Sequence, residues 1–219
     1  MSETTVIIKT IGRKSVQAAI ESAKREGFTT HVVSDGIWFP PDHSDLASRS
    51  TIKGADSYTK LGKRWGYYGG MAANVGAALA ETEFVTFLDD DDEFIVGAGE
   101  VIRSKLKEKP GVDVWVGGVR FNQEITLYGP AGEPLRSSSD LCMNGDLGVI
   151  PGNVCMPTYR TSIFSKIPFV DDVNEIQANL TDFFHIKKCA KEGYKIDWFE
   201  DVIYLVRPAV GGVNGRGND

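Results

Sequence analysis

Strand-like and helix-like segments alternate through the first half of this 219-residue chain, and that alternation restricts the possible folds most strongly. Residues 5–10 (TVIIKT) are rich in β-branched side chains, whereas residues 16–23 carry apolar side chains at helical spacing. Residues 29–34 (TTHVVS) form a second strand-like segment that ends at an Asp-Gly pair. A strand, a helix and a strand in this order are typical of a parallel sheet, whose crossover connection is right-handed by default.

The same alternation continues over the next part of the chain. Residues 72–81 (AANVGAALAE) predict an alanine-rich helix, residues 83–88 (EFVTFL) a strand, and residues 97–108 an amphipathic helix. Between Ile37 and Gly70 no periodic pattern is visible, and Pro, Gly, Asp, Ser and Tyr are frequent. We expect this segment to be a long loop, and loops of such length are more often functional than idle.

In the second half of the chain the segments change in character. Residues 112–122 and 124–129 are strand-like, residues 181–191 predict a last helix, and two further strand-like segments follow at 195–199 and 201–207. We expect these strands to extend the edge of the sheet. The pattern as a whole predicts an α/β domain with a mixed, mostly parallel central sheet flanked by helices.

Composition argues against several functions. The net charge of −6 argues against a nucleic-acid partner, because affinity for a phosphate backbone comes from many basic side chains on one face. No segment approaches the roughly 18 consecutive apolar residues of a transmembrane helix, and the N-terminus lacks a secretory pattern, so we expect a cytoplasmic protein without a transmembrane segment. Three cysteines without a Cys-x-x-Cys pair indicate neither a disulfide framework nor a structural zinc site.

Four consecutive aspartates stand in the sequence FLDDDDEF, directly after the strand predicted at 83–88. Adjacent carboxylates raise one another's pKa unless a positive charge lies among them. Two interpretations are open: the carboxylates hold a divalent cation, or they form a solvated acidic turn that caps the following helix. The pattern does not fit an EF-hand, which needs glycine where Phe94 stands, or a phosphatase DxDxT motif, because Glu93 stands in place of its threonine.

Polar residues also follow the first two predicted strands. Thr10 ends the first strand and Asp35 follows the second. Asp35 precedes a glycine, which is also compatible with a simple Asp-Gly turn. Because the carboxyl ends of neighbouring parallel strands lie at one edge of a sheet, Thr10, Asp35 and the aspartates would face one crevice, where open α/β sheets bind ligands.

Five segments in this order carry a resemblance to a known family. They are VIIKT, VVSDG, AANVGAALAETEF, VTFLDDDDEF and TDFFHIKKCAKEGYKI. Together they resemble the GT-A fold glycosyltransferases of the large family 2 type, over roughly the whole chain. The most specific part is LDDDD, preceded by Asn-x-Gly on a helix and a short strand. The resemblance implies one GT-A domain over 1–219, with a nucleotide-binding half at 1–110, an acceptor-side half at 111–207 and a flexible Gly-rich tail at 208–219.

The resemblance also implies an activity. It implies a metal-dependent, inverting transferase of the hexosyltransferase type that moves a sugar from a nucleotide-sugar, expected to be a UDP-sugar, to a hydroxyl group. The acceptor, whether glycan, lipid or protein, is left open. In such enzymes Mn²⁺ or Mg²⁺ binds the DxD carboxylates, here Asp89 and Asp91, and bridges the donor diphosphate.

Roles for individual residues follow from the resemblance by position. Asp35 would accept a hydrogen bond from uracil N3-H, Asp90 would contact the ribose or the ion, and residues just after the first strand would flank the nucleotide. The residues implied for donor binding are Thr10, Arg13, Asp35, Asn74, Asp89 and Asp90.

Asp182 is the implied general base. It falls where inverting relatives carry an acidic pair opening a helix, and a carboxylate there can take the proton of the acceptor hydroxyl. The alternative is a plain acidic residue in the first turn of a helix. The chain departs from the family in having Ala73 where relatives carry arginine, and Arg207 without a nearby histidine after the last strand.

Other interpretations are open. A nucleotidyltransferase would use the same acidic metal site, and a catalytically silent nucleotide-sugar binding module would keep the same fold. Aromatic residues near the ends of the long loop would either line a base or sugar or close the loop over the core; they are Trp38, Trp65, Tyr67 and Tyr68. His31 and His185 are expected to be structural.

Overall fold

The computed structural model describes residues 3–13, 15–36, 52–65, 69–121, 156–169 and 181–206. The strands are β1 (Thr4–Thr10), β2 (Thr29–Ser34), β3 (Ser57–Lys60), β4 (Phe84–Asp89), β5 (Glu93–Phe94), β6 (Val114–Phe121), β7 (Met156–Arg160) and β8 (Ile196–Val206). The α-helices are α1 (Val16–Arg25), α2 (Gly70–Leu79), α3 (Ala98–Glu108) and α4 (Thr181–Lys191), and a 3₁₀ turn covers Thr161–Ser165.

Within these residues the strands form one eight-stranded sheet in the order β3-β2-β1-β4-β7-β6-β8-β5. The first four strands are parallel to one another, β7 is antiparallel to β4 and β6, and β5 is antiparallel to β8. The sheet is therefore mixed and flanked by helices, which confirms the predicted α/β fold. The later strands β6, β7 and β8 extend the sheet beyond β4, as expected.

β1 is central, with β2 on one side and β4 on the other. The chain thus passes from β1 to β2 on one side and later to β4 on the other, so the strand order reverses at β1. Open α/β sheets bind ligands at the carboxyl ends of the strands where the order reverses in this way. Val6, Ile7 and Ile8 of β1 are fully buried. Strands covered on both faces are apolar throughout rather than alternating, which explains the unbroken TVII and FVTFL segments.

The alanine-rich helix α2 packs closely on the sheet. A Cβ atom added at Gly76 would lie 2.4 Å from Cγ2 of Ile7, so this part of α2 fits only without a side chain. The buried alanines Ala72, Ala73 and Ala77 allow the same close approach along the helix. The small residues therefore allow α2 to pack directly against β1.

The structure corrects two details of the predicted elements. The segment predicted as one long loop contains β3, a short strand of polar, mostly exposed residues at the edge of the sheet, which hydrophobic periodicity does not reveal. The two strand-like segments at 195–199 and 201–207 belong to one continuous strand, β8, whose pairing with β6 shifts register near Gly118. The predicted strand at 124–129 lies outside the described residues.

Candidate donor and metal site

The carboxyl ends of β2, β1 and β4 meet at one edge of the sheet. Thr10 pairs with Ser34, and Lys9 pairs with Asp89, in the registers of the two parallel ladders. The backbone N–H of Asp35 donates a 2.8 Å hydrogen bond to the Thr10 carbonyl. The predicted convergence of Thr10, Asp35 and the aspartates at this edge is therefore present in the structure.

Asp90 anchors the loop after β1 to the end of β4. Its Oδ2 accepts hydrogen bonds from Thr10 Oγ1 (2.6 Å) and the Ile11 backbone N–H (3.1 Å), and its Oδ1 accepts one from Arg13 (2.7 Å). The residue is only 2% exposed, and a buried carboxylate needs such donors and a positive partner to remain stable. Asp90 thus holds Thr10 and Arg13 in place at the edge of the sheet.

The turn after β4 brings three other carboxylates together. The Asp92 backbone N–H donates to the Asp89 carbonyl (3.2 Å), and this turn places one oxygen from each of Asp89, Asp91 and Asp92 within 4.8 Å of the others. An all-oxygen set of this kind suits a hard divalent cation such as Mn²⁺ or Mg²⁺. We call Asp89–Asp92 the acidic turn. Its residues fit the cation implied by the resemblance.

The charges around Asp91 reinforce that fit. Burial raises the pKa of Asp91, and the neighbouring Asp89 and Asp90 raise it further, while the positive charge of Arg13 opposes the shift. For Arg13, burial alone would lower the pKa, but Asp90, Asp91 and Asp89 outweigh it and raise the pKa overall. Negative charge is thus in excess at the acidic turn, and an additional cation would be stabilised there.

Tyr204 of β8 makes two hydrogen bonds with the acidic turn. Its hydroxyl donates to Asp92 Oδ2 (2.8 Å) and accepts from the Asp89 backbone N–H (3.2 Å). Burial, together with Asp92 and Asp89, raises the pKa of Tyr204 well above its usual value, so the group remains a donor. Tyr204 reaches this position because β5 and β8 pair with Phe94 opposite Tyr204.

Two basic side chains lie against the same turn. Lys9 Nζ lies 2.8 Å from Asp89 Oδ1, and Arg13 contacts Asp91 at 3.0 Å in addition to Asp90. Sequence analysis missed Asp92, Tyr204 and Lys9 as members of the site. A lysine inside an otherwise apolar strand was the one available signal for Lys9, whereas Tyr204 requires knowledge of the β5–β8 pairing.

The acidic turn does not cap the next helix. The backbone N–H groups of Gly97 and Gly99, at the start of α3, donate to Glu26 Oε2 at 3.0 and 3.1 Å. Glu26, at the end of α1, therefore caps α3, which is the role that the alternative interpretation gave to the aspartates. Asp90 and Asp92 are also buried, so only Asp89 and Asp91 of the turn are accessible to solvent. The helix-capping part of the alternative interpretation is therefore wrong, and a cation at the acidic turn stays a prediction.

Asp35 lies at the end of β2 against the segment that follows β3. Its Oδ1 accepts a 2.8 Å hydrogen bond from the Trp65 backbone N–H. The backbone at Gly36 passes close to that of Arg64: a Cβ added at Gly36 would lie 2.3 Å from the Arg64 backbone nitrogen. Gly36 also has a φ of +87°, which favours glycine. Trp65 is 38% exposed, and Lys63 Nζ lies 3.9 Å from its ring centroid. Trp38, Tyr67 and Tyr68 lie outside the described residues.

The Asn74 side chain makes two hydrogen bonds with the backbone of Phe169. Its Oδ1 accepts from the Phe169 backbone N–H (2.7 Å), and its Nδ2 donates to the Phe169 carbonyl (3.0 Å). This pair of hydrogen bonds ties α2 to the segment after the 3₁₀ turn. Both polar atoms of the amide thus bond the backbone here, and a role of Asn74 in donor binding stays a prediction.

Asp182 lies in the first turn of α4, but its side chain is outside the described part of the chain, as are residues 207–219. His185, one turn later, is 4% exposed and its ring stacks on Phe164 at 5.1 Å. Its Nε2 donates to the Ile167 carbonyl at 2.7 Å. These contacts agree with the structural role expected for His185. His31 is also buried, with its Nε2 2.9 Å from Thr59 Oγ1. We call His185 and its aromatic neighbours the histidine cluster; those neighbours are Tyr159, Phe164 and Phe169.

Comparisons with known proteins bear on the fold. No protein-family model and no curated protein matches the chain. TarS 1-349 of S. aureus in complex with UDP-GlcNAc is similar, with a TM-score of 0.67 and 18% identity over 95% of this chain and 59% of that one. The mannosyltransferase PcManGT of Pyrobaculum calidifontis in complex with GDP-Man and Mn²⁺ has a TM-score of 0.64 and 17% identity over 95% of this chain and 58% of that one.

This chain thus spans about three fifths of the length of either structure. Within the described residues no helix combines the length and the apolar character needed to cross a bilayer. At 17–18% identity the similarity speaks for architecture rather than activity. The parallel half-sheet and its mixed extension beyond β4 match the architecture of these glycosyltransferase structures, and this chain has the GT-A fold.

Proposed function

We propose that this chain is a glycosyltransferase that uses a nucleotide-sugar donor, which we expect to be a UDP-sugar, together with Mn²⁺ or Mg²⁺. One observation carries the proposal: Asp35, the anchored Asp90 and the acidic turn converge at the carboxyl edge of β2, β1 and β4. That edge is where this class of sheet binds nucleotides. The structures of similar fold that contain UDP-GlcNAc or GDP-Man with Mn²⁺ support the donor class.

The donor would lie across this edge. Asp35 would accept a hydrogen bond from the base, beside the exposed ring of Trp65. Thr10 and Arg13 would flank the nucleotide from the loop after β1, held by Asp90. Asp89, Asp91 and Asp92 would hold the divalent ion, which when bound stabilises the negative charge on a leaving diphosphate.

Asp182 is proposed as the general base. It lies in the first turn of α4, where the helix dipole favours an ionised carboxylate. A carboxylate within hydrogen-bond reach of the acceptor hydroxyl would remove its proton as the oxygen attacks the anomeric carbon. Attack opposite the leaving group inverts the configuration of that carbon. A hexose is the expected sugar, and the acceptor is not assigned.

The test is calorimetric titration of UDP, GDP and CDP into the protein, first with Mn²⁺ and then with EDTA. We expect UDP to bind selectively and only with the metal. Asp91→Asn should weaken that binding on the order of 100-fold or more, because it removes one charged oxygen ligand. Glu100→Gln, which removes an exposed carboxylate from α3, should bind UDP like the unaltered protein.

Several outcomes would overturn parts of the proposal. Selective binding of GDP would replace the UDP assignment but keep the donor class. Metal-independent binding, or full binding by Asp91→Asn, would remove the cation from the acidic turn. Binding without any sugar transfer or slow donor hydrolysis would favour the silent binding module, and release of pyrophosphate from a nucleoside triphosphate would favour the nucleotidyltransferase.

A further inference from the structure

Lys9 brings a positive charge from the centre of the sheet to the acidic turn. Its Nζ lies 2.8 Å from Asp89 Oδ1, and the parallel register of β1 and β4 places the two residues side by side. Asp89 is also one of the three residues whose carboxylate oxygens lie within 4.8 Å of one another. The ammonium group therefore neutralises a carboxylate that the divalent ion would use.

The Lys9 side chain is held in this position by packing. It is 13% exposed, whereas the Asp89 side chain is 49% exposed. Its stem passes beneath Gly69, where an added Cβ would lie 3.0 Å from Cδ and 3.3 Å from Cβ of Lys9. Gly69 has φ +79° and directly precedes α2, so the start of the helix covers the stem. A stem that is already ordered loses little side-chain entropy on pairing, unlike a lysine on an open surface.

Arg13 differs from Lys9 in its partners. Its guanidinium contacts Asp90 at 2.7 Å and Asp91 at 3.0 Å. Asp90 stands outside the three-carboxylate cluster and is fixed by Thr10 and Ile11 as well. An ion entering the cluster would leave the Arg13–Asp90 pair in place. Arg13 also contacts a member of the cluster, Asp91, but it keeps Asp90 as a second anionic partner when an ion enters. Lys9 contacts the cluster through Asp89.

We propose that Lys9 is a resident cation that competes with the divalent ion for Asp89 and thereby lowers the metal affinity of the nucleotide-free protein. The inference rests on the proposed function, from which it takes the ion. An ammonium group and a divalent ion at one carboxylate repel each other, and the repulsion is stronger at a partly buried position than in open water. Binding of the ion therefore requires Lys9 to weaken or give up its contact with Asp89.

The test is titration of Mn²⁺ alone into the nucleotide-free protein, followed by calorimetry. Lys9→Met keeps a long, flexible stem beneath Gly69 and removes the charge, and it should bind Mn²⁺ about five- to ten-fold more tightly. The matched control is Lys60→Met. Lys60 ends β3 at the same edge of the sheet, and the two strands β2 and β1 separate β3 from β4, so its loss tests the general effect of one positive charge. We expect the control to change the affinity by no more than about two-fold.

A second variant guards against a packing artefact. Lys9→Gln should tighten Mn²⁺ binding in the same direction, and denaturant unfolding should show that both variants remain folded. The inference is overturned if Lys9→Met and Lys9→Gln bind Mn²⁺ no more tightly than the unaltered protein, or gain no more than Lys60→Met does.

The same series separates this inference from the proposed function. If every variant binds Mn²⁺ with equal affinity and binds UDP in its presence, Lys9 is not a competitor and the proposed function stands. If no variant binds Mn²⁺ at all, the cation site fails and the inference fails with it. Tighter Mn²⁺ binding by Lys9→Met without any nucleotide binding would support the competition and overturn the donor site.

Discussion

Two of the regions in which the molecule buries ionisable groups differ in whether those groups keep their charge. The acidic turn sets its carboxylates beside Lys9 and Arg13 at the edge of the sheet. The histidine cluster surrounds His185 with aromatic rings, and burial lowers the pKa of that imidazole to about 4. Burial alone drives a group to its neutral form, whereas fixed opposite charges allow a buried region to keep charge that a ligand can use.

We expect the largest effect for the rate of sugar transfer, when carboxylates at the two ends of α4 are neutralised in turn. Asp182→Asn should lower the rate of sugar transfer by about 10²- to 10⁴-fold, the usual contribution of a general base, while donor binding stays unchanged. Single-turnover kinetics and calorimetry measure the two quantities separately. Glu192→Gln removes an exposed carboxylate just beyond the other end of the helix and should leave the rate unchanged. Equal rates for Asp182→Asn and the unaltered protein would return Asp182 to a helix-capping role.

The next effect concerns the free energy of unfolding, and it tests whether the buried charge of Asp90 also stabilises the fold. Asp90→Asn should lower the free energy of unfolding by about 3 kcal/mol, because Arg13 loses its buried partner and the amide presents a donor where a carboxylate oxygen accepted two. Denaturant titration measures this change. Asp197→Asn, which breaks the 2.5 Å pair with the exposed Lys109, should cost no more than about 1 kcal/mol. Equal costs for the two variants would remove the anchoring role of Asp90.

The smallest effect is a change of stability with pH, and it tests whether the histidine cluster keeps His185 neutral. The folded pKa of His185, about 4, lies below the ordinary value of 6.5, so the unfolded chain binds the proton more readily. The stabilising contribution of neutral His185 is therefore present above pH 6.5 and is lost as pH falls towards 4. Between pH 7 and pH 5 the loss should be about 2 kcal/mol.

His185→Gln keeps a donor for the Ile167 carbonyl but cannot titrate. Denaturant unfolding of both proteins at a series of pH values isolates the histidine, because the carboxylates that titrate in the same range are common to both. We expect the difference in stability between the two to shrink with falling pH. A constant difference would show that His185 is not held neutral.

Sequence patterns predicted the fold well where burial imposes periodicity. β1, α1 and β2 were predicted almost to the residue, because both faces of the strands and one face of the helix are covered by the core. The strand β3 was missed because its residues, SYTK, are polar and mostly exposed, so that its pairing with β2 leaves no apolar signature. Edge strands of this kind are defined by backbone hydrogen bonds rather than by side-chain burial.

Residues of the candidate site could be predicted only where they directly follow the end of a strand. The acidic run directly after a strand located Asp89 and Asp91, and the convergence with Thr10 and Asp35 followed from parallel pairing. Asp92 depends on how the turn folds, and Tyr204 depends on an antiparallel pair between distant parts of the chain. The donor and base roles of the individual residues remain predictions, and those of Asp91 and Asp182 are tested directly by the variants described above.

The hydrogen bonds from Tyr204 to the acidic turn determine when the turn can be completed as the chain is synthesised. The carboxylates of the acidic turn emerge early, yet the hydroxyl that bonds Asp92 and the Asp89 backbone is contributed by β8, 112 positions after Asp92. A nascent chain that has released β1 to α3 carries every proposed ligand of the ion but lacks that hydroxyl. We therefore expect the acidic turn to reach its final geometry only after β8 has paired with β5, so that a fragment of residues 1–110 would not reproduce the metal affinity of the whole chain.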